Sequence, residues 1–376
     1  MSGADAASTW AALNAVARRE AFIPDVIWIR DGDIFRSLSK QDDPDGWRAA
    51  VAADEPVVTQ VDLGATPSGR TGTFPSSSCS QPSIVAEMLD ALDVGSGQKV
   101  LEIGTGTGWN AALLVARVRP GGHVISVEID ARIAQQARDA LAATGCHVLV
   151  VTADGEEGWP EQAPYDRIIA TAAVRDRIPA AWLDQLRPGG RLVTPWGTDW
   201  SNGVMLRLDK DVDGSSLGRF SGDLAFMRLR RHRRDLSGFQ PTAKQIGTAD
   251  RSTTECRGAD LNRILNPAKG QFAIGARLRH CTLLVEWDKF GERHHVIELD
   301  DGETGSWARL DADLTNPAPF TVDQLGPRQL WNELETAYDW WHDHGEPAMD
   351  RFGLRATDDG QQWLFLDTPD DIVRTL

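Results

Sequence analysis

Val100-Leu101-Glu102-Ile103-Gly104-Thr105-Gly106-Thr107-Gly108-Trp109 is the run that decides the fold. An apolar strand ends in three alternating glycines and opens into a helix. That order puts backbone N–H groups and a helix N-terminus at the carboxyl edge of a sheet, where a nucleotide-type ligand binds. A dinucleotide fingerprint would read G-x-G-x-x-G, but here the third glycine falls one position early, giving G-x-G-x-G. Twenty residues past Gly108 a second strand ends in Glu128, where a carboxylate can accept from both ribose hydroxyls. Asp154-Gly155 follows the next strand, where an acid can meet an adenine amino group. A glycine elbow with two acids at successive strand ends suits S-adenosylmethionine: the adenosine is gripped and no pyrophosphate needs the third spacing.

Outward from this run, strand patterns at 99–103, 123–128, 147–151, 166–170 and 190–195 alternate with helical patterns at 108–117, 131–143 and 179–185. This alternation predicts right-handed crossovers and a largely parallel, doubly wound α/β sheet. Upstream, Trp10, Leu13, Val16 and Ala17 recur at helical spacing over 9–19, and Phe22-Ile23-Pro24 ends that element. Residues 41–46 read as a polar insertion with a Pro44-Asp45-Gly46 turn. Downstream, 235–273 is mixed and polar. From 276 the period becomes two, over 276–289, 294–300, 307–311, 352–357 and 361–367. A helix over 327–344 interrupts these strands, with Leu330, Leu334, Ala337 and Trp341 on one face. Three regions are expected: a helical and loop region over 1–80, the cofactor-binding core over 81–234, and a smaller α+β domain over 235–376.

The 376 residues allow two or three domains, and 41% hydrophobic content suffices for packed cores. The 39 Lys and Arg against 55 Asp and Glu leave a net charge of −16, which argues against a nucleic-acid partner bound through phosphate neutralisation. No leader pattern and no apolar run of 18 residues is found, so the expectation is a cytoplasmic chain without a membrane partner. Cys79, Cys146, Cys256 and Cys281 show neither a zinc nor a disulfide spacing, and Cys79 reads as a small packing residue. His342 and His344, two apart on a helix, do not share a face, so no metal is expected. Trp331, Trp340 and Trp341 read as core. Five arginines within 228–234 read as a solvated face or a docking site for an acidic peptide. Oligomeric state is not legible.

Several motifs together carry a resemblance: Ser78-Cys79-Ser80-Gln81-Pro82, the glycine run from Leu101 to Trp109, Ala153-Asp154-Gly155, Ile169-Ala170-Thr171-Ala172-Ala173, and Leu186 through Gly197. The stretch from Val16 to Pro24, with Arg19, adds to it. Over roughly residues 9–230 the chain resembles the class I S-adenosylmethionine-dependent methyltransferases, specifically the protein-L-isoaspartate (D-aspartate) O-methyltransferases. The resemblance implies a class I methyltransferase Rossmann-like sheet, S-adenosylmethionine as cofactor and a carboxyl O-methyltransferase activity. It implies Ser80 as the required hydroxyl of a Thr-x-Ser-x-Pro loop, with Ser78 in place of Thr. It further implies Glu128 at the ribose, Asp154 and Gly155 at the adenine, Gly104, Thr105 and Gly106 at the methionine end, and Ile129 among the cofactor-binding residues. Glu102, Gly108 and Thr171 complete the expected cofactor set.

Family members that repair damaged proteins are usually shorter, without a counterpart of 235–376. A longer subset, similar in length to this chain, methylates one aspartate of a constrained, ribosomally made peptide to give aspartimide or isoaspartate. Length therefore favours a modified ribosomal precursor peptide as partner, with L-isoaspartyl repair as the alternative. Ser76-Ser77 and Met227-Arg228-Leu229 depart from the repair enzymes' Gly-Gln and Val-Pro-Leu.

Overall fold

The computed structural model describes residues 12–233, 241–266, 270–287, 294–315 and 319–376. Among these, the strands form sheets of eleven, five and five members. The large sheet carries the expected parallel part. Its order from one edge is Leu149–Thr152, His123–Glu128, Lys99–Ile103, Tyr165–Ala170 and Leu186–Gly197, all parallel, followed by antiparallel Asn202–Lys210 and Ser216–Ser221. Leu101 lies between Ile125 and Ile168, and the apolar run at 100–103 is buried on both faces, as parallel strands covered by helices require. From Lys99–Ile103 the chain winds outward to one edge and then returns to start Tyr165–Ala170 on the other side. The switch point this creates is where a ligand crevice opens at the carboxyl ends of the strands.

Helices Pro82–Leu92, Trp109–Val118 and Ala131–Ala143 cover one face, and Ala180–Gln185 the other. The last of the first group shows why it forms. Asp130 caps it by accepting from the N–H groups of Arg132 and Ile133, while Ile133, Ala134, Ala137 and Leu141 bury one stripe.

Residues 26–79, expected within a helical region, are instead an antiparallel sheet in the order Thr71–Gly72, Ile34–Ser39, Val26–Asp31, Val57–Val61, Pro75–Cys79. The cause is local: Gly32, at φ +63°, and Asp33 close a two-residue hairpin that pairs Asp31 with Ile34. The expected turn at Pro44-Asp45-Gly46 opens a helix, Pro44–Ala52. Asp43 accepts from Gly46 N at 2.9 Å and Pro44 sits in the first turn, a start signal rather than a stop. Of the helix expected over 9–19, residues 12–16 are helical, while Thr9 and Trp10 lie outside the described residues.

Downstream, the stretch 276–289 divides. Gln271–Arg277 is helical, Thr282–Glu286 is a strand, and 288–289 lie outside the described residues. A five-stranded antiparallel sheet, Asp250–Thr254 to Thr282–Glu286, packs Ile297, Leu310 and Val322 against Trp331 and Leu334 of the helix Leu330–Asp343. The final strands, Phe352–Ala356, Gln362–Leu366 and Ile372–Thr375, do not join it. They extend the large sheet, with Gly218 paired to Leu354. Phe272 seals this junction among Trp196, Phe220 and Phe352, at ring separations of 5.9, 5.0 and 5.3 Å. A boundary at residue 235 thus divides the sequence but not the sheet. Among the described residues no helix is long and apolar enough to cross a membrane.

Candidate active site

The glycine loop is held open by hydrogen bonds on both sides. Gly104 N donates to Val127 O and Thr171 N to Ile103 O, both at 2.8 Å, and the Thr171 hydroxyl donates to Gly104 O at 2.5 Å. Gly104 stands at φ +93°, where a Cβ would lie 2.8 Å from Thr171 Oγ1, so only glycine fits. Glu128 anchors the other side, accepting from Gly106 N and Asp130 N at 3.0 Å each. Burial pushes its carboxyl above the usual range, opposed by those two backbone donors. Each oxygen keeps lone-pair capacity for a further donor.

Gly104, Thr105, Gly106, Glu128, Ile129, Asp154, Gly155 and Thr171 border one crevice together with Ser78 and Ser80. Two expected cofactor residues do not. Glu102 is fully buried behind the loop, where its carboxylate accepts from Asn110 Nδ2 at 2.7 Å and from the Ser126 hydroxyl. Its proximity to the glycines in sequence reflects support, because a strand buried on both faces turns that side chain into the core. Gly108, at φ +86°, packs on Ala137 and Leu141 of the neighbouring helix rather than facing the crevice.

The serine loop owes its position to the N-terminal sheet. Pro75–Cys79 pairs with Val57–Val61, putting Val57 opposite Cys79 and Val58 opposite Ser78. Gln60 extends the tie by donating to Asp130 at 3.1 Å. The hydroxyls of Ser78 and Ser80 make no hydrogen bond with another described residue, and both residues border the crevice. Gln81, not Ser80, holds the cap position of the helix Pro82–Leu92, and no side chain caps that helix. A capping role for Ser80 is thereby removed.

Asp154 starts a short turn, accepting from Glu156 N at 3.0 Å, and pairs with Arg231 Nε at 2.9 Å. The arginine stretch is only in part the solvated face expected, with Arg230 and Arg231 exposed and Arg228 largely covered. Arg228 pairs with the buried Asp199 at 3.1 Å, Arg231 also reaches Glu157 at 3.2 Å, and Arg230 and Arg233 border the crevice. Arg234 lies outside the described residues. A backbone bridge between Ala173 and Arg228 brings this segment to the site from over fifty residues away. No local pattern announces that contact, nor those that bring Trp109 and Asn110 to the wall.

The fold is that of the class I methyltransferases, with the crevice at its switch point. The family model of protein-L-isoaspartate(D-aspartate) O-methyltransferase matches residues 70–233. A protein-L-isoaspartate O-methyltransferase of Myxococcus xanthus is 39% identical over 168 residues, 44% of this chain and 71% of that protein. One from Methanopyrus kandleri is 42% identical over 152 residues, 40% of this chain and 66% of that protein. Three such relatives are matched over only 60 to 66% of their length. A solved protein-L-isoaspartate O-methyltransferase overlaps 96% of this chain and 100% of its own, with a TM-score of 0.52 and 19% identity, so the C-terminal architecture is shared at the level of fold. The chain belongs to the protein-L-isoaspartate(D-aspartate) O-methyltransferase family, whose members are S-adenosylmethionine-dependent carboxyl O-methyltransferases.

Proposed function

We propose that this protein transfers a methyl group from S-adenosylmethionine to the free carboxylate of isoaspartyl residues in peptides and proteins. The observation that carries the reading is the meeting, in one crevice, of the glycine loop, Glu128, and Ser78 and Ser80, whose hydroxyls have no hydrogen-bond partner among the described residues. In this reading Glu128 takes the ribose hydroxyls and Asp154 with Gly155 the adenine, while Gly104, Thr105, Gly106 and Thr171 surround the methionine end. The donor supplies an electrophilic sulfonium methyl. A carboxylate acceptor is already ionised at neutral pH, so no general base is required. The chain's task is alignment and exclusion of water, which can contribute several kcal/mol. Ser80 donates a hydrogen bond that orients the acceptor carboxylate, with Ser78 beside it. The resulting ester is a better electrophile, and the following backbone nitrogen attacks it to give a succinimide with loss of methanol. Water opens the ring to aspartate or isoaspartate.

An aspartate of a constrained ribosomal peptide, the acceptor that chain length favoured, gains nothing from the relatives' names. A shared fold across the C-terminal region removes length as its support. The isoaspartyl reading is tested by incubating an unstructured isoaspartyl peptide with the protein and S-adenosylmethionine at neutral pH. Methanol release and accumulation of the normal aspartyl peptide are expected. Absence of both, with donor bound, overturns it.

A further inference from the structure

Arg19 is fully buried in the turn Arg19–Phe22, yet its guanidinium serves two separate segments. Nη1 donates to the carbonyls of Val51 and Ala53, both at 3.1 Å, and Nη2 to that of Glu55 at 2.8 Å. Nη2 also donates to Cys79 O at 3.0 Å and Ser80 O at 2.9 Å, and Nε faces Cys79 Sγ at 3.4 Å. The guanidinium lies 5.5 Å from the ring of Trp109, the first residue of the helix after the glycine loop, and the Trp109 indole donates to Ala17 O at 2.9 Å. Asp54, in the first segment, accepts from Ser83 N at 2.8 Å. Arg19 itself does not border the crevice.

A buried cation is tolerated where its donors are satisfied, and a planar fork of five N–H groups can serve carbonyls on two segments where an ammonium cannot. We infer that Arg19 is a positioning residue for methyl transfer: by holding the carbonyls of Cys79 and Ser80, it sets where the Ser80 hydroxyl stands relative to the glycine loop. The inference rests on the role given to Ser80 above. Its action is through Ser80, not through contact with donor or acceptor, so its loss lowers turnover without weakening donor binding.

The test compares wild type, Arg19→Lys and Arg19→Ala in three measurements: amide exchange, titration with S-adenosylhomocysteine, and methyl transfer to an isoaspartyl peptide. In Arg19→Lys, exchange over 75–81 rises roughly tenfold while that over 103–109 is unchanged, because one local tie has been cut. S-adenosylhomocysteine affinity stays within about twofold and kcat falls by about a hundredfold, the cost of misplacing a reacting geometry by about 1 Å. Added guanidinium restores part of kcat in Arg19→Ala. Unchanged exchange over 75–81 in a folded Arg19→Lys, or donor affinity falling in step with kcat, overturns the inference in favour of a purely structural role. If wild type turns over no peptide, the methyltransferase reading fails by itself, and the exchange and titration still decide whether Arg19 holds the serine loop.

Discussion

Removing the charge of Glu102 should change how the protein's stability depends on pH. The side chain is fully buried in Lys99–Ile103, with Asn110 at 2.7 Å, and the Ser126 hydroxyl that it engages is 2.6 Å from Thr105 Oγ1. Burial pushes its carboxyl from 4.5 up to about 7, against the lowering effect of the Ser126 and Asn110 hydrogen bonds. That difference is worth about 3 kcal/mol. The folded-state value is the raised one, so the folded protein keeps a proton that the unfolded chain releases. The associated stability is fully present below pH 4.5 and is lost as pH rises through about 7. Between about pH 5.5 and about pH 8.5 the loss is about 2 kcal/mol. Glu102→Gln keeps the shape, accepts from Asn110 through its oxygen and donates through its NH2 to the Ser126 hydroxyl, but cannot ionise. Urea unfolding followed by tryptophan fluorescence at a series of pH values gives the stability difference between variant and wild type, in which the other titrating groups cancel. The variant should gain on wild type by about 2 kcal/mol across that window. A difference that stays constant with pH would refute the reasoning, because Glu102 would then be ionised, or solvated, in both states alike.

Other consequences are as direct. Ser80→Ala should bind S-adenosylhomocysteine as wild type does and lose about a hundredfold in turnover on an isoaspartyl peptide; equal turnover removes Ser80 from the site. Glu128→Ala should weaken donor binding by about 2 kcal/mol, since hydrogen bonds to a charged acceptor are lost. An unchanged calorimetric titration would leave Glu128 as a loop anchor only. Deleting residues 352–376 should destabilise the whole molecule, not just its C-terminal part, because it bares the long edge at Ser216–Ser221 and removes the Arg374 to Asp176 ion pair. A truncated chain with a wild-type melting temperature would contradict the continuous sheet.

The parallel core was legible because its signals are local. Glycines at 104, 106 and 108, buried strand runs and acids at strand ends all lie within a few residues of the feature they announce. Helix Ala131–Ala143 is read to the residue, since a capping Asp130 and a clean apolar stripe mark it. The N-terminal sheet has a weaker local signature: Gly32-Asp33 marks one hairpin, while the pairings of Val57–Val61 and Pro75–Cys79 join segments far apart in sequence. Long-range pairings left no trace. Ser216–Ser221 meets Phe352–Ala356 across more than a hundred residues, and Arg231 closes on Asp154 from a separate element. In the site, Glu102 and Gly108 were placed at the cofactor because they neighbour the loop in sequence. Which face of a doubly covered strand a side chain takes is decided by packing, not by proximity.

The most direct test of the central claim is mass spectrometry of methyl transfer from S-adenosylmethionine to two matched synthetic peptides, differing only in isoaspartate or aspartate at one position. One added methyl group on the isoaspartyl peptide alone is the predicted result. Methylation of the aspartyl peptide instead, or of neither while the donor binds, would contradict it.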